Sequence, residues 1–243
     1  MSEYIGIISW NVKGDLRGSA SAPERVKNLA HVLAHLSTLK DCPVHFLCFQ
    51  ETCGSNGALE EALKKDGYAC YGALHEGDKA GMHYLFSLHP KADFVFDGKP
   101  EQCLFKYVSA TGSPIRYPAV AKLVRRRDGK KVALYTFHAP RDGALQEGLG
   151  KCSELVVNTV KSKEFSQVFV AGDLNISEET MIYVPKLGKS VHFLKHLFPG
   201  FVGWSNNLDH VMCWPDVGLR KIFGWNFETS SDHPLVYTRF LID

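Results

Sequence analysis

The chain has 243 residues, of which 45% are hydrophobic and 22% are charged. These values are typical of a globular protein with a sizeable core, and they exclude a disordered chain. The formal net charge of +2 permits a polyanionic partner without requiring one. The seven cysteines are scattered and include no Cys-x-x-Cys spacing, so the sequence indicates neither a disulfide framework nor a zinc ribbon.

The sequence shows no membrane anchor or address signal. No apolar run approaches the roughly 20 residues that a membrane-spanning helix needs, and the N-terminus lacks the basic and apolar regions of a signal peptide. We therefore expect a cytoplasmic, monomeric protein without a membrane span. A secreted protein, or one delivered to a host cell, is the alternative.

Hydrophobic periodicity predicts strands and helices in mixed order. The predicted strands cover residues 4–10, 44–49, 68–71, 83–88, 93–96, 103–108, 119–124, 132–137, 167–171, 208–213 and 234–240. The predicted helices cover residues 23–36, 58–65, 146–162 and 191–197, and the rest of 176–205 is expected to be irregular. Because no linker or composition break divides the chain, we expect one domain over residues 1–243. Many strands with few helices imply two packed sheets with helices outside.

The turn Asp128-Gly129 is the strongest hairpin signal, and it joins the strands at 119–124 and 132–137. Five basic residues surround this turn: Arg125, Arg126, Arg127, Lys130 and Lys131. Such a tip is typical of a solvated sheet edge protected from aggregation, and we favour that reading. A contact with a phosphate backbone is the alternative.

Polar side chains follow or precede the predicted buried strands, and this is the main functional signal. The residues at these strand ends are Asn11, Glu51, His138, Asp173, Asn175, Asp209, Asp232 and His233. Carboxylates clustered away from water are costly unless a cation holds them. Oxygen ligands without thiolates favour Mg²⁺, with Mn²⁺ or Ca²⁺ as alternatives. Two histidines beside such a cation suit acid–base chemistry, and these parts together are what metal-assisted hydrolysis of a phosphate ester needs.

The same segments resemble the motifs of the endonuclease/exonuclease/phosphatase superfamily, in the superfamily's order and over nearly the whole chain. They are SWNVKG at 9–14, FQET at 49–52, YTFHAP at 135–140, AGDLN at 171–175, LDHV at 208–211 and SSDHPLV at 230–236. HYLFSLHP at 83–90 and RYPAVAK at 116–122 further resemble deoxyribonuclease I, and the nuclease subunit of cytolethal distending toxins is a related comparison. The resemblance implies a four-layer α/β/β/α sandwich, with two mixed β-sheets packed face to face.

The resemblance also implies residue roles. Glu51 would hold the divalent metal, with Asn11 and Asp232 near it. His233 would act as a base or transition-state stabiliser oriented by Asp209, and His138 would be the second acid–base histidine. The remaining roles are water positioning by Asp173, phosphate binding by Asn175 and contact with a substrate phosphate by Arg116.

Two departures from deoxyribonuclease I bear on these roles. Met82 stands where that enzyme has the glutamate partner of its second histidine, and either Glu76 or Asp78 substitutes or His138 lacks a carboxylate partner. Cys53 replaces an arginine that closely follows the metal-binding glutamate in that enzyme, which weakens the case for the same contact with the minor groove of DNA.

The sequence thus favours a divalent-metal-dependent phosphodiesterase, a DNA endonuclease similar to deoxyribonuclease I. A phosphatase of the same superfamily acting on inositol phosphates, phosphoinositides or another phosphomonoester is the second hypothesis. Against it, Ile176 and Ser177 follow GDLN where such phosphatases carry basic and aromatic residues, and Asp209-His210 replaces their Asp-Arg pair. The third hypothesis is an inactive binding module on the same scaffold.

Overall fold

The computed structural model describes residues 3–12, 21–39, 41–52, 57–74, 83–104, 116–141, 144–215, 221–228 and 233–242. Asp232, Met82, Glu76, Asp78 and Cys53 lie outside these ranges, as does the part of the predicted strand 103–108 that follows Leu104. No helix in the described ranges has the length and apolar character needed to cross a membrane.

Two mixed β-sheets form the centre of the molecule. The first sheet has the order β14-β15-β1-β2-β4-β3, and its strands are β1 Glu3–Asn11, β2 Phe46–Gln50, β3 Ala69–Leu74, β4 His83–Leu88, β14 Lys221–Phe227 and β15 Leu235–Ile242. The second has the order β12-β13-β9-β8-β7-β5, with β6 also pairing with β7. Its strands are β5 Phe94–Phe96, β6 Glu101–Gln102, β7 Ala119–Arg125, β8 Lys131–Thr136, β9 Gln167–Asp173, β12 Val202–Asn206 and β13 Asp209–Pro215.

Four helices and a small hairpin complete the described structure. The helices are α1 Ser21–Thr38, α2 Ala58–Lys65, α3 Leu145–Ser162 and α4 Phe193–Leu197. The hairpin comprises β10 Met181–Val184 and β11 Lys189–His192, joined by a 3-10 turn at Pro185–Leu187.

Side-chain alternation along the strands creates the layers. In β1, Ile5 and Ile7 face the second sheet, whereas Ile8 and Trp10 pack with α1 and α2. In β9, Phe169 faces the first sheet, whereas Val168 and Val170 pack with α3 and α4. Each sheet is therefore apolar on both faces, which explains the continuous apolar runs in its central strands. The four-layer α/β/β/α sandwich is confirmed.

The expectation of irregular structure around residues 176–205 was partly wrong. This region contains the β10–β11 hairpin and the edge strand β12. The prediction also omitted β14, the edge strand of the first sheet. β12 and β14 each contain a glycine, a residue that argues against a strand when only the sequence is considered. In β14, Gly224 lies under the Trp204 ring, and an added Cβ would be 2.0 Å from that ring.

Candidate active site

The site lies at one edge of the sandwich because strand directions bring the polar ends together there. β1 and β2 run parallel and finish at this edge, whereas β15 is antiparallel to β1 and starts there. In the second sheet β8 and β9 run parallel and finish at the edge, and the antiparallel β13 starts there.

The inward-facing positions change from apolar to polar as each strand reaches this edge. In β1 the series is Ile5, Ile7, Ser9 and Asn11; in β9 it is Phe169, Ala171 and Asp173. Asn11 and Asp173 occupy the same face-to-face gap that the apolar residues fill deeper in the sandwich. Asn11 Nδ2 donates a hydrogen bond to Asp173 Oδ2 at 3.0 Å. The period-two pattern of each strand thus delivers the polar groups to a water-poor space.

Asp173 and Asp209 are direct partners on neighbouring strands, and both are buried. Like charges at directly opposed positions are unfavourable unless a positive group compensates them. His233 lies between them: its Nδ1 donates to Asp209 Oδ2 at 2.9 Å, and its Nε2 lies 3.6 Å from Asp173 Oδ2. The carboxylate of Asp209 therefore fixes the orientation and the tautomer of the His233 ring.

His138 lies between a second pair of carboxylates. Its Nδ1 is 3.0 Å from Glu51 Oε1, and its Nε2 is 3.4 Å from Asp173 Oδ2. The backbone N–H of His138 donates to the hydroxyl of Tyr84. Among the described residues, Glu51 is thus the carboxylate that faces His138 Nδ1. The sequence did not predict this contact, because it depends on two strand ends from different sheets.

Glu51 adopts a left-handed backbone conformation with a φ of 56°, directly after β2. This conformation is uncommon outside glycine and persists where the surrounding structure holds it in place. Burial raises the pKa of Glu51, and the nearby charge of Asp173 adds to this effect. The guanidinium of Arg116, a hydrogen bond from Asn11 and the charge of His233 act in the opposite direction.

The loops after β8 and β9 are joined by hydrogen bonds at the rim of the site. The Asn175 backbone N–H donates to Asp173 Oδ1 at 2.9 Å, and Asn175 also has a positive φ of 52°. The carbonyl of Ala139 accepts from Asn175 Nδ2 at 2.7 Å and from Arg116 Nη1 at 2.8 Å. Arg141, which the sequence did not single out, donates from Nε to Asn175 Oδ1 at 3.0 Å.

Seven of the eight predicted strand-end residues lie within this connected set, and so does Arg116. The described members are Asn11, Glu51, His138, Asp173, Asn175, Asp209 and His233. Asp232, predicted as a metal ligand, lies outside the described residues. Gln50, which the motif FQET contains without an assigned role, also lies here, and its Nε2 donates to Thr136 Oγ1 at 2.9 Å across the two sheets. Both residues continue the inward-facing series of β2 and β8, so the alternation itself could have identified them.

The residues present fit a hard divalent cation. Burial already disfavours the charged form of Glu51, a cost that a nearby cation would offset. Atoms of Asp173, Asp209 and His233 lie within 4.8 Å of one another and could also hold a metal ion. In that group, however, His233 Nδ1 is already hydrogen-bonded to Asp209, an arrangement better suited to orienting an acid–base histidine.

The fold and this edge of paired carboxylates and histidines define a protein of the deoxyribonuclease I-like class. The sequence model of the endonuclease/exonuclease/phosphatase family matches residues 8–233, and the chain belongs to that family. Members of this family are usually metal-dependent phosphoesterases. A search of the curated proteins finds no match.

Solved structures support the same assignment of fold. A truncated TDP2 from Caenorhabditis elegans is 17% identical, with a TM-score of 0.69 and 98% of each chain covered. An endonuclease/exonuclease/phosphatase family protein from Bacteroides thetaiotaomicron is 15% identical, with a TM-score of 0.70 and coverage of 100% of this chain and 99% of the other. The human Nocturnin catalytic domain with bound sulfate is 14% identical, with a TM-score of 0.65 and coverage of 99% and 95%.

Proposed function

We propose that the protein is a divalent-metal-dependent phosphodiesterase that cleaves DNA. The observation that carries this proposal is the pair of histidines from opposite sheets, His138 and His233. Each ring lies between Asp173 and a second carboxylate, which is Glu51 for His138 and Asp209 for His233. Hydrolysis of a phosphate ester needs a base for the attacking water and an acid for the leaving oxygen, and two such histidines provide both.

Asp173 is the group that would position the attacking water. Its Oδ2 accepts from Asn11 and lies near both imidazoles, whereas its Oδ1 accepts from the backbone of Asn175. These contacts leave the carboxylate little freedom to rotate. A fixed carboxylate next to two imidazoles can hold a water and pass its proton to a ring nitrogen without rearrangement.

Glu51 would hold the divalent cation, with Asn11 and Asp232 near it and Mg²⁺ as the expected ion. When bound, the ion would neutralise charge on the phosphoryl oxygens. The protein itself supplies a donor to the substrate through the Asn175 amide, and the guanidinium of Arg116 adds a fixed positive charge on the same side.

The positively charged arginines at the rim of the site support a nucleic acid substrate. Arg116 is half-buried and donates to the carbonyl of Ala139, whereas Arg141 is exposed and donates to Asn175 Oδ1. Among the proteins of similar fold, a TDP2 from D. rerio, 18% identical with a TM-score of 0.65 and 98% of each chain covered, is complexed with a single-strand DNA product. A phosphatase acting on inositol phosphates or another phosphomonoester remains the second candidate. It is favoured by one observation, namely that the basic hairpin tip lies at the far end of β8 from the site.

A plasmid-nicking assay with Mg²⁺ or Mn²⁺, and with EDTA, tests the proposal. We expect metal-dependent nicking that Asp173→Asn and His233→Ala each lower by roughly 10²-fold or more, because residues acting as one unit contribute about 3 kcal/mol or more to the barrier. His31→Ala, an exposed position on α1, is the matched control and should retain activity. Phosphate release from a phosphomonoester panel, with intact plasmid, would instead support the phosphatase. Turnover unchanged in both site variants would refute the chemistry.

A further inference from the structure

Arg141 lies at the exposed rim of the site, where it is held by a hydrogen bond to Asn175 that has no role in the proposed catalysis. It follows His138-Ala139-Pro140 after β8, and its Nε donates to Asn175 Oδ1 at 3.0 Å. Asp173 is fully buried, Asn175 is half-buried and Arg141 is exposed. These three residues, linked by successive hydrogen bonds, therefore trace a path from the reacting centre to the surface.

The contact with Arg141 determines which way the Asn175 amide points. An amide oxygen only accepts and an amide nitrogen only donates. Since Arg141 donates to Oδ1, the Nδ2 group must face the carbonyl of Ala139, to which it donates at 2.7 Å. One N–H of Nδ2 is used in this bond, and the second is left for a ligand.

Arg141 and Arg116 bring two positive charges to the same part of the rim, since Arg141 donates to Asn175, and Asn175 and Arg116 both donate to the carbonyl of Ala139. Burial lowers the pKa of Arg116, and the charge of Arg141 lowers it further, whereas Glu51, Tyr84 and Asp173 act in the opposite direction. In the part of the chain that the structure describes, the recorded partner of the Arg141 guanidinium is the neutral amide of Asn175. Like charges held together favour an anion beside them, and a planar guanidinium fixed at Nε still presents its two Nη groups.

We propose that Arg141 binds a second phosphate of the substrate, adjacent to the one that reacts, and so selects a polynucleotide strand over an isolated phosphate ester. This inference rests on the proposed function, since it assigns a substrate class to the same site. The reacting phosphate would lie beside Asp173 and the histidines, with Asn175 at its outer side. Arg141, one hydrogen bond further out, then meets the next phosphate along the strand.

Two variants separate the charge of Arg141 from its contact with Asn175. Arg141→Gln retains a side-chain N–H that can donate to Asn175 Oδ1 but removes the charge, whereas Arg141→Leu removes both. Each is compared with wild type on a single-stranded oligonucleotide and on bis(p-nitrophenyl) phosphate, which has no second phosphate. Arg126→Gln, an exposed arginine at the distant hairpin tip, is the matched control.

We expect Arg141→Gln to raise KM for the oligonucleotide by about tenfold with kcat little changed, the signature of a lost binding contact. The effect on the small diester should be several-fold smaller. Anisotropy of a labelled oligonucleotide in EDTA gives a readout that does not depend on turnover. There, the slope of log affinity against log salt should become shallower by about 0.7, the value for one phosphate contact on a single strand. Arg141→Leu should show the same change in slope.

A salt slope equal to that of wild type and of Arg126→Gln would overturn the proposal. So would an equal loss on the two substrates, because Arg141 would then act only by orienting Asn175. These results differ from failure of the proposed function, in which wild type itself would hydrolyse neither the oligonucleotide nor the small diester.

Discussion

Asp209 shows how much of the chemistry depends on the contacts of single residues. Its carboxylate is buried and accepts from His233 Nδ1 at 2.9 Å. The motif LDHV identified this residue in the sequence, but not the cross-strand pairing with Asp173 that makes a positive group between them necessary. Arg141 was not predicted at all, because its contact with Asn175 joins two loops that are 34 residues apart.

We expect Asp209→Asn to retain the fold and lower kcat by about 10²-fold or more. The amide can take the place of the carboxylate, but it neither fixes the productive tautomer nor stabilises the protonated ring of His233. Circular dichroism controls for folding, and an unchanged kcat would contradict the role of Asp209.

His210 is a buried histidine of structural character. It is 2% exposed, and its ring Nε2 lies 2.7 Å from the carbonyl of Ile176. Burial lowers its pKa, although the hydrogen bond to Ile176 and the charge of Glu178 act in the opposite direction. The unfolded chain thus binds a proton at this position more readily than the folded protein does.

The free energy of unfolding should fall as the pH drops below about 6.5, the ordinary histidine pKa. The contribution of His210 is complete above that pH and is lost as the pH falls toward the lower pKa of the folded protein. His210→Gln should reduce the slope of the free energy of unfolding against pH by at most about 1.4 kcal/mol per pH unit, the value for one proton. Urea unfolding at pH 7.0 and 5.5 measures this. If the pH dependence of the free energy of unfolding were the same in His210→Gln as in wild type, it would arise from other groups, such as His89, whose pKa burial also lowers.

At the scale of the elements, the strand ends were predictable, and the edge strands β12 and β14 were not. The runs in β2, β8 and β9 are continuous and apolar, and those in β1 and β15 are mostly apolar, so both their existence and their polar ends could be identified from the sequence. Residues of β12 are half-exposed or exposed, and β14 is interrupted by Gly224. The two strands also contact each other, where Trp204 Nε1 donates to Asn226 Oδ1, and such a contact between sheets leaves no periodic signal in the sequence.

Gly172, next to Asp173 at the end of β9, lies where the neighbouring backbone leaves no room for a side chain. A Cβ at this residue would lie 2.0 Å from the carbonyl oxygen of Phe137, which directly precedes His138. Gly172→Ala should therefore push β8 and β9 apart beside the site. We expect a loss of roughly 1–3 kcal/mol or more in the free energy of unfolding, together with reduced turnover.

Gly150→Ala is the matched control for this substitution. Gly150 lies in α3, where an added Cβ meets nothing within 4 Å, and alanine there should stabilise the helix by roughly 0.5–1 kcal/mol. Urea unfolding compares the two variants. Equal stabilities for Gly172→Ala and wild type would mean that the two strands separate without cost.

At the scale of the whole molecule, the direction of β8 decides what the basic hairpin tip can do. The tip precedes β8, whereas His138 follows it, so the two are separated by the length of a six-residue strand, about 20 Å. Arg125 is not a surface charge, because it is 5% exposed and donates from two nitrogens to Asp128 at 2.9 and 2.6 Å. This order of basic turn, strand and histidine is visible in the sequence. It favours the interpretation of the basic turn as a solvated sheet edge, because the turn is remote from the site.

Arg126→Gln combined with Lys130→Gln should change DNA cleavage by less than about twofold at moderate salt, because exposed charges beyond a Debye length are largely screened. Arg116→Gln, at the rim of the site, should instead reduce cleavage strongly, since its guanidinium is fixed by Ala139. Initial nicking rates of the three proteins compare them. A large fall in the tip variant would show that DNA extends along the second sheet to that end.

Three side-chain contacts of the site join one sheet to the other: Asn11 with Asp173, Glu51 with His138, and His233 with Asp209. Neither half of the sandwich contains a working constellation by itself. His233 directly precedes β15, which is inserted between β14 and β1 rather than added at an edge. The proposed hydrolytic site is therefore complete only after β15 has been inserted between β14 and β1, so that catalytic turnover would report that the whole sandwich has folded.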